Sequence, residues 1–429
     1  FEVNTFLSRI LNLFYLINIF FKGIIYFFSI LIKYFNYRFI DKYYKNLQIE
    51  NNIKIFGNAT FTEDEINNKS KFDLLSWINK NFENNKSVIF INRNIKKRLN
   101  DNIYCIPDTL FFYIQNLNFF KFFASFLLIF FNVIVDILFL KNSNLILFKE
   151  KIQASVIRCS NFKKKIDFYF VFTQNIQRPL WTYEILKNNS TVSIICLNLF
   201  SEMKITDDKK FSYDVDAFHL CSWDKYFIWT DNCEKFLIER LISNSTFNKK
   251  KPEFVKIGII YYKDFKETLN LGEKKTIALF TYERHKFSPG LGTIAEWQYK
   301  NPKLLWNFYE QILSIANELN LQIIIKRKRN YDNKIQIKRI EGLFKKLANS
   351  KNVSIIDPRH SAYKVILNSD LVISQPFTSV GYAAKKFNKP SVYFDPTQQL
   401  KLDDNSANGV DIINDKSLLK KWIVDNVEK

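Results

Sequence analysis

Two stretches of the chain are apolar almost throughout, and in both the few polar positions return with the helical period. Between residues 6 and 40 these are Ser8, Asn12, Tyr15, Asn18, Lys22, Tyr26, Ser29, Lys33 and Asn36. At about 100° per residue they fall on one polar stripe roughly 120° wide, on a helix otherwise faced with Phe, Ile and Leu. Lys22 breaks any uncharged run of about 20 residues. The pattern therefore predicts a helix lying in the membrane interface, or a shallow hairpin bent near Gly23; a spanning helix with a snorkelling lysine is the alternative. Residues 118–140 repeat it, with Asn118, Lys121, Ser125, Asn132 and Asp136 within about 60° of one another. Their uncharged run, Phe122 to Val135, is short for a span. A second membrane-associated helix is expected there, with a buried core helix as the alternative.

The rest alternates short apolar runs with amphipathic ones, the order of a parallel α/β sheet. Strands are expected at 87–91, 167–172, 192–197 and 226–230, with a helix at 233–241. A polar break at 243–252 reads as a linker. Beyond it, strands are expected at 276–280, 322–325, 353–356, 371–374 and 391–394. Helices are expected at 302–320, 334–349, 361–367, 380–387 and 418–427. The architecture this predicts is two tandem doubly wound α/β domains facing a cleft. Residues 1–50 form an apolar helical segment, 51–250 a first domain carrying the apolar helix at 118–140, and 251–429 a second domain.

Composition narrows the partners. The 429 residues suffice for two or three domains, and 47% hydrophobic with 24% charged excludes both wholesale disorder and a polytopic membrane protein. The net charge of +21 invites an anionic partner: phosphate, nucleic acid or lipid headgroups. Part of that basicity follows from a Phe-, Ile-, Asn- and Lys-rich composition of the kind AT-rich coding produces. The five cysteines form no C-x-x-C pair, so a reducing compartment fits better than a disulfide framework. His219, Cys221 and Cys233 match no standard metal spacing, and no metal is expected.

The sharpest chemical signal runs from Ser369 to Lys385. An apolar strand ends at Ser374, a turn passes through Gln375, Pro376 and Phe377, and Thr378 and Ser379 stand where a helix begins. Gly381, Ala383 and Ala384 let that helix pack closely on the sheet. A helix N-terminus offers free N–H groups and partial positive charge, which suits phosphate; in an open α/β sheet, ligands bind at this strand end. An ordinary Ser/Thr cap is the alternative.

The run Ser374-Gln-Pro-Phe-Thr-Ser379, between Ser-Asp-Leu-Val-Ile and Asn388-Lys-Pro-Ser-Val-Tyr-Phe-Asp395, resembles the polysaccharide biosynthesis PFTS-motif family. These are sugar transferases of bacterial surface-polysaccharide pathways. More broadly the second domain is similar to the C-terminal half of GT-B glycosyltransferases, including capsule polymerases and teichoic-acid glycerophosphotransferases. The resemblance implies a GT-B-like fold of two Rossmann-type domains, with Thr378 and Ser379 on the donor phosphate. It also implies an enzyme using a nucleotide-sugar as co-substrate, with no further cofactor.

Around that turn, Lys326 and Arg329 end a strand in four consecutive cations. They are candidates to neutralise a diphosphate, a solvated charge run being the alternative. Arg284 and His285 follow the strand at 276–280 and are candidates for donor or acceptor contact. In GT-B enzymes the base that deprotonates the acceptor usually comes from the first domain. Here His219 and Asp216 are the candidates, with Asp214 and Glu202 near them, and Asn175 and Arg178 for acceptor contact. The expected partners are a nucleotide-sugar, a glycan or lipid-linked glycan, and an anionic membrane surface, with no nucleic acid. The expected place is the cytoplasmic face of the plasma membrane, peripheral or monotopic. A CDP-alcohol-dependent glycerophosphotransferase and a non-catalytic scaffold of a glycan-export complex are the competing readings.

Overall fold

A computed structural model describes residues 5–40, 52–57, 88–91, 98–100, 103–139, 143–172, 178–187, 190–196, 199, 223–241, 251–260, 274–281, 302–327, 338–357, 360–398 and 400–427. In chain order the first part holds helix α1 (Thr5–Phe35) and strands β1 (Asn52–Gly57), β2 (Val88–Ile91), β3 (Arg98–Asn100) and β4 (Ile103–Ile106). Four helices follow: α2 (Phe111–Gln115), α3 (Phe119–Leu138), α4 (Ser143–Ile146) and α5 (Phe148–Arg158). Then come β5 (Lys165–Phe172), α6 (Thr182–Leu186), β6 (Thr191–Cys196), β7 (Lys225–Ile228), α7 (Asp231–Leu241) and β8 (Glu253–Lys256). These strands form one sheet in the order β3-β4-β2-β1-β5-β6-β7-β8, parallel except for β3 against β4. The edge strand β8, which lies beyond the polar break and was grouped by sequence with the second domain, pairs with β7 and so belongs to this sheet.

The second part holds β9 (Thr276–Phe280), α8 (Pro302–Glu318), β10 (Gln322–Lys326), α9 (Lys338–Ala348), β11 (Val353–Ile356) and α10 (Ala362–Leu367). After them come β12 (Leu371–Ser374), α11 (Ser379–Lys386), β13 (Ser391–Phe394), β14 (Asp411–Ile413) and α12 (Lys416–Val427). The sheet order is β11-β10-β9-β12-β13-β14, every pair parallel. Its strands are apolar on both faces because both faces are covered. Ile277, Leu279, Ile323 and Ile373 pack with Leu305, Phe308, Leu343 and Leu419 of α8, α9 and α12. Ala278, Phe280, Ile324 and Val372 pack with Val365, Ile366, Ala383 and Ala384 of α10 and α11. This is the doubly wound arrangement the alternation predicts.

The hairpin expected near Gly23 does not form: α1 runs unbroken through that residue. The glycine is a packing notch: a Cβ on it would lie 2.1 Å from Cδ1 of Phe148 in α5. α1 and α3 run antiparallel, with Phe20 against Phe130 (5.9 Å), Phe27 against Phe126 (3.5 Å) and Tyr34 against Phe119 (6.0 Å). Both are long and apolar enough, by length and composition, to cross a bilayer. Each buries one face, through Phe27, Ile30 and Tyr34 in α1 and Phe122, Phe126 and Val133 in α3. The core-helix alternative for residues 118–140 thus describes one face of α3 only, since Phe120, Leu128 and Phe131 are exposed.

Part of each polar stripe is taken up by the protein, while Asn18, Lys22, Lys121 and Asn132 stay exposed. Tyr26 Oη accepts from Gln153 Nε2 at 3.0 Å, and Lys33 pairs with Asp108. Asp136, buried on α3, accepts the amide of Asn144 at 2.7 Å and the hydroxyl of Ser143 at 3.2 Å, which caps α4.

Candidate functional site

The C-terminal ends of the first sheet's strands meet the second unit. Leu199, three residues past β6, donates its amide to Ser379 Oγ at 3.2 Å. Trp229, at the end of β7, lies 6.4 Å from the ring of Tyr382 and donates its indole N–H to Cys196 O at 2.9 Å. Asn232, in the first turn of α7, donates to Asn405 O and Asn408 Oδ1. The junction therefore centres on α11 and the turn at 405–408.

β12 is buried along its whole length and is pinned at its start, where Asp370 accepts the Thr276 amide at 2.8 Å. One residue past its end, the Gln375 amide donates to Phe280 O at 3.0 Å, extending the ladder toward β9. The Thr378 amide then donates back to Gln375 O at 3.1 Å, closing the turn through Pro376 and Phe377, whose peptide bond is cis. Phe377 is turned into a small core with Leu400, Val410 and Ile412, edge-on to Tyr393 at 5.2 Å. It anchors the turn, as does the buried Pro376.

Thr378 stands at the N-cap of α11 with extended backbone, yet its side chain makes no capping hydrogen bond. Its Oγ1 is buried without a partner among the described residues, and so is Oγ of Ser374 at the strand end. Gly381 brings the helix down onto this point: a Cβ there would meet Tyr393 Cε1 at 2.5 Å and Ser374 Oγ at 2.9 Å. Tyr393 Oη donates to Thr378 O at 2.8 Å, and burial holds its pKa above the ordinary phenol range. A buried hydroxyl left unsatisfied costs about 1–3 kcal/mol, and two of them stand together where β12 passes into α11. The ordinary-cap reading does not describe Thr378, whose hydroxyl does no capping.

Lys326 lies on the same edge. The pairings Ser374–Phe280 and Ile325–Leu279 place Lys326 in the row of Phe280 and Ser374, two strands and about 10 Å from Ser374. Its Nζ donates to Arg327 O at 2.8 Å, while Arg327 stacks on Phe344 of α9 at 4.4 Å. Arg178 is held in a bracket: Nε donates to Thr182 Oγ1 at 2.9 Å and the guanidinium pairs with Asp224 at 3.2 Å. Its buried side chain ties the start of α6 to the residue before β7, at the edge of the sheet where that strand begins, away from the strand ends that meet α11. Asp216, His219, Arg284, His285 and Arg329 lie outside the described residues, as do Glu202, Asp214 and Asn175. Sequence reasoning assigned no role to Ser374, Tyr393 or Leu199. The one legible sign was a serine closing an otherwise apolar strand.

Two parallel α/β units, with the strand ends of one set against a helix N-terminus of the other, define a glycosyltransferase-like architecture of the GT-B type. The chain belongs to the polysaccharide biosynthesis PFTS motif proteins, whose family model matches residues 129–423, with Pro376-Phe377-Thr378-Ser379 supplying the motif. Comparison with curated protein sequences returns no match. Among solved structures, the chain is similar to the UDP-GlcNAc 2-epimerase of Methanocaldococcus jannaschii in complex with UDP-GlcNAc and UDP (TM-score 0.45, 14% identity, 88% of this chain and 93% of that one). It is also similar to trehalose-6-phosphate from E. coli bound with UDP-2-fluoro glucose (TM-score 0.46, 10% identity, 88% and 91%). A third is Acinetobacter baumannii MurG (TM-score 0.35, 10% identity, 88% and 90%).

Proposed function

We propose that the protein is a membrane-associated glycosyltransferase, moving a sugar from a nucleotide-sugar to a lipid-linked surface-polysaccharide acceptor at the cytoplasmic face of the plasma membrane. The observation that carries this reading is the pair of buried hydroxyls, Ser374 Oγ and Thr378 Oγ1, which have no partner among the described residues at the start of α11. The donor's diphosphate would accept from Thr378, from Ser379 and from the first-turn amides of α11, with Lys326 along the edge. As the bond from the anomeric carbon to the phosphate oxygen breaks, negative charge gathers on the leaving nucleotide, where these donors stand. The acceptor oxygen bonds to the anomeric carbon and gives its proton to a base of the first unit. His219 and Asp216 fall in the connection between β6 and β7, which leaves β6 on the edge where Leu199 meets Ser379. In this reading the chain's own donors meet the charge, without a metal or other cofactor.

Two further observations support the membrane and its face. α1 and α3 expose large apolar side chains, and the Lys33–Asp108 pair sets one end of that layer beside the chain leaving β4, on the cleft edge of the sheet. Cys105, Cys159, Cys196 and Cys233 are free thiols, as in a reducing compartment.

The test is a thermal-shift screen of the full chain against UDP, CMP, CDP, GDP and their sugars, with and without EDTA. A ligand at 100 times its dissociation constant adds about 2.7 kcal/mol of stability. The expected result is a shift with one nucleotide, unchanged by EDTA and absent in Thr378→Ala. A shift with CDP-glycerol alone would replace the sugar donor by an activated alcohol. Folded protein that no nucleotide stabilises would overturn the reading.

A further inference from the structure

We infer that α1 and α3 lie flat as one layer in a single leaflet of an anionic membrane, so that neither helix crosses the bilayer. This deepens the membrane-associated reading above and rests on it. On α1, Phe14, Phe21, Phe28 and Phe35 follow one another at seven-residue steps along one exposed face, and on α3 Phe120 is 83% and Phe131 65% exposed. Contiguous bare apolar surface of this kind marks a site that meets a partner or a membrane.

The opposite face excludes a crossing. It is packed along most of α1, from Phe20 on Phe148 (6.1 Å) to Tyr37 on Phe111 (4.9 Å) just past it. Of the helices on that side, α5 carries charged side chains. Lys149 of α5 sits over the Tyr26 ring at 5.2 Å, and Glu150 of the same helix accepts the Leu180 amide at 3.0 Å. If α1 stood upright in the bilayer, Tyr26 would be deep in hydrocarbon and would carry Lys149 and Glu150 with it, at a penalty of about 2.5 kcal/mol or more for each charge. Lying flat, the same helix keeps its packed face and α5 on the aqueous side. Its 31 residues, about 46 Å long, then need not match a hydrocarbon core of about 30 Å.

Charge selects the occupant. Lys22 and Lys121 are exposed and sit, on their helical wheels, between the packed face and the bare one, at the level of the headgroups. Arg38, also exposed, follows at the end of α1. With a net charge of +21, this rim fits an anionic leaflet rather than a second copy of the same basic chain.

The experiment uses the full chain on vesicles of phosphatidylcholine with and without 30% phosphatidylglycerol. A fluorescent amino acid replaces Phe14, Phe21, Phe28 or Phe35, one at a time, and is quenched by lipids carrying nitroxide at shallow and deep acyl positions. A flat helix puts all four at one depth, and binding strengthens with the anionic lipid. An upright helix steps about 10 Å in depth from each site to the next, which would overturn the inference and leave membrane association standing. The double variant F21E/F28E should partition on the order of a hundredfold more weakly. Nucleotide-induced thermal shifts on the same samples report folding and the donor site separately. Folded, nucleotide-responsive protein that ignores both vesicles, or forms a dimer that vesicles do not dissociate, would overturn the inference without touching the transfer reaction.

Discussion

Tyr393 donates its phenolic hydrogen to the carbonyl oxygen of Thr378 at 2.8 Å, while its ring fills the space that a side chain on Gly381 would need. One residue on β13 thus sets both the cap of α11 and the helix's height above the sheet. Tyr393→Phe keeps the ring and loses the bond. It should lower stability by about 1 kcal/mol and weaken nucleotide binding, read from melting curves and a titration on the same protein.

Removing an unsatisfied hydroxyl should have the opposite sign. Ser374→Ala and Thr378→Val each delete a buried oxygen that has no partner among the described residues. The ligand-free protein should become more stable by about 1–3 kcal/mol in urea titrations, while the nucleotide-induced shift disappears. A destabilised ligand-free Thr378→Val would mean that its hydroxyl is satisfied after all.

Gly381→Ala tests the close approach itself. The new methyl would sit 2.5 Å from Tyr393 Cε1, in a ring that is fully buried and cannot swing aside. Overpacking of this kind costs about 1–3 kcal/mol. The expected outcome is a lower melting temperature together with a weakened donor response, because α11 must lift from Ser374.

Gly23→Ala should strain the α1–α5 contact for the same reason, the added carbon lying 2.1 Å from the Phe148 ring. Limited proteolysis should cut ahead of β1 sooner than in the parent chain. Phe148→Ala in the same protein should restore part of the protection, since the two changes share one volume.

Acid should loosen the second sheet through Asp370. Burial works to raise its pKa, but the hydrogen bonds from the Thr276 amide and from Lys275 outweigh burial and hold it below the usual carboxylate value. A carboxylate depressed on folding contributes stability above its unfolded pKa of about 3.9, and loses it as the pH falls through the lower folded value. Solvent screening around the partly exposed side chain keeps the contribution below about 1 kcal/mol. Asp370→Asn should therefore lower the urea midpoint slightly at neutral pH and flatten its fall below about pH 4.

The alternation of apolar runs and amphipathic helices determined the doubly wound second sheet. β9 to β13 fall within about a residue of their expected ranges, because strands covered on both faces are continuously apolar and need no distant information to recognise. The turn at 374–379 was legible for a similar reason: an apolar strand, a proline and two hydroxyl residues opening a helix are all local signals. β1, with Lys54 and Asn52, and β8, with Glu253 and Lys256, carry no such run. They exist because neighbouring strands offer ladder partners, which periodicity does not record. The polar stripes were found but their direction was not. A wheel shows which residues share a face; that Tyr26 and Lys33 of the α1 stripe meet Gln153 and Asp108, while phenylalanines face outward, depends on elements about 75 to 127 residues away. Likewise the sequence names a threonine at a helix start, and only the tertiary packing shows that its hydroxyl is buried, makes no cap bond and has no partner among the described residues. Local spacing determines which groups are available, and long-range packing determines which of them remain unsatisfied.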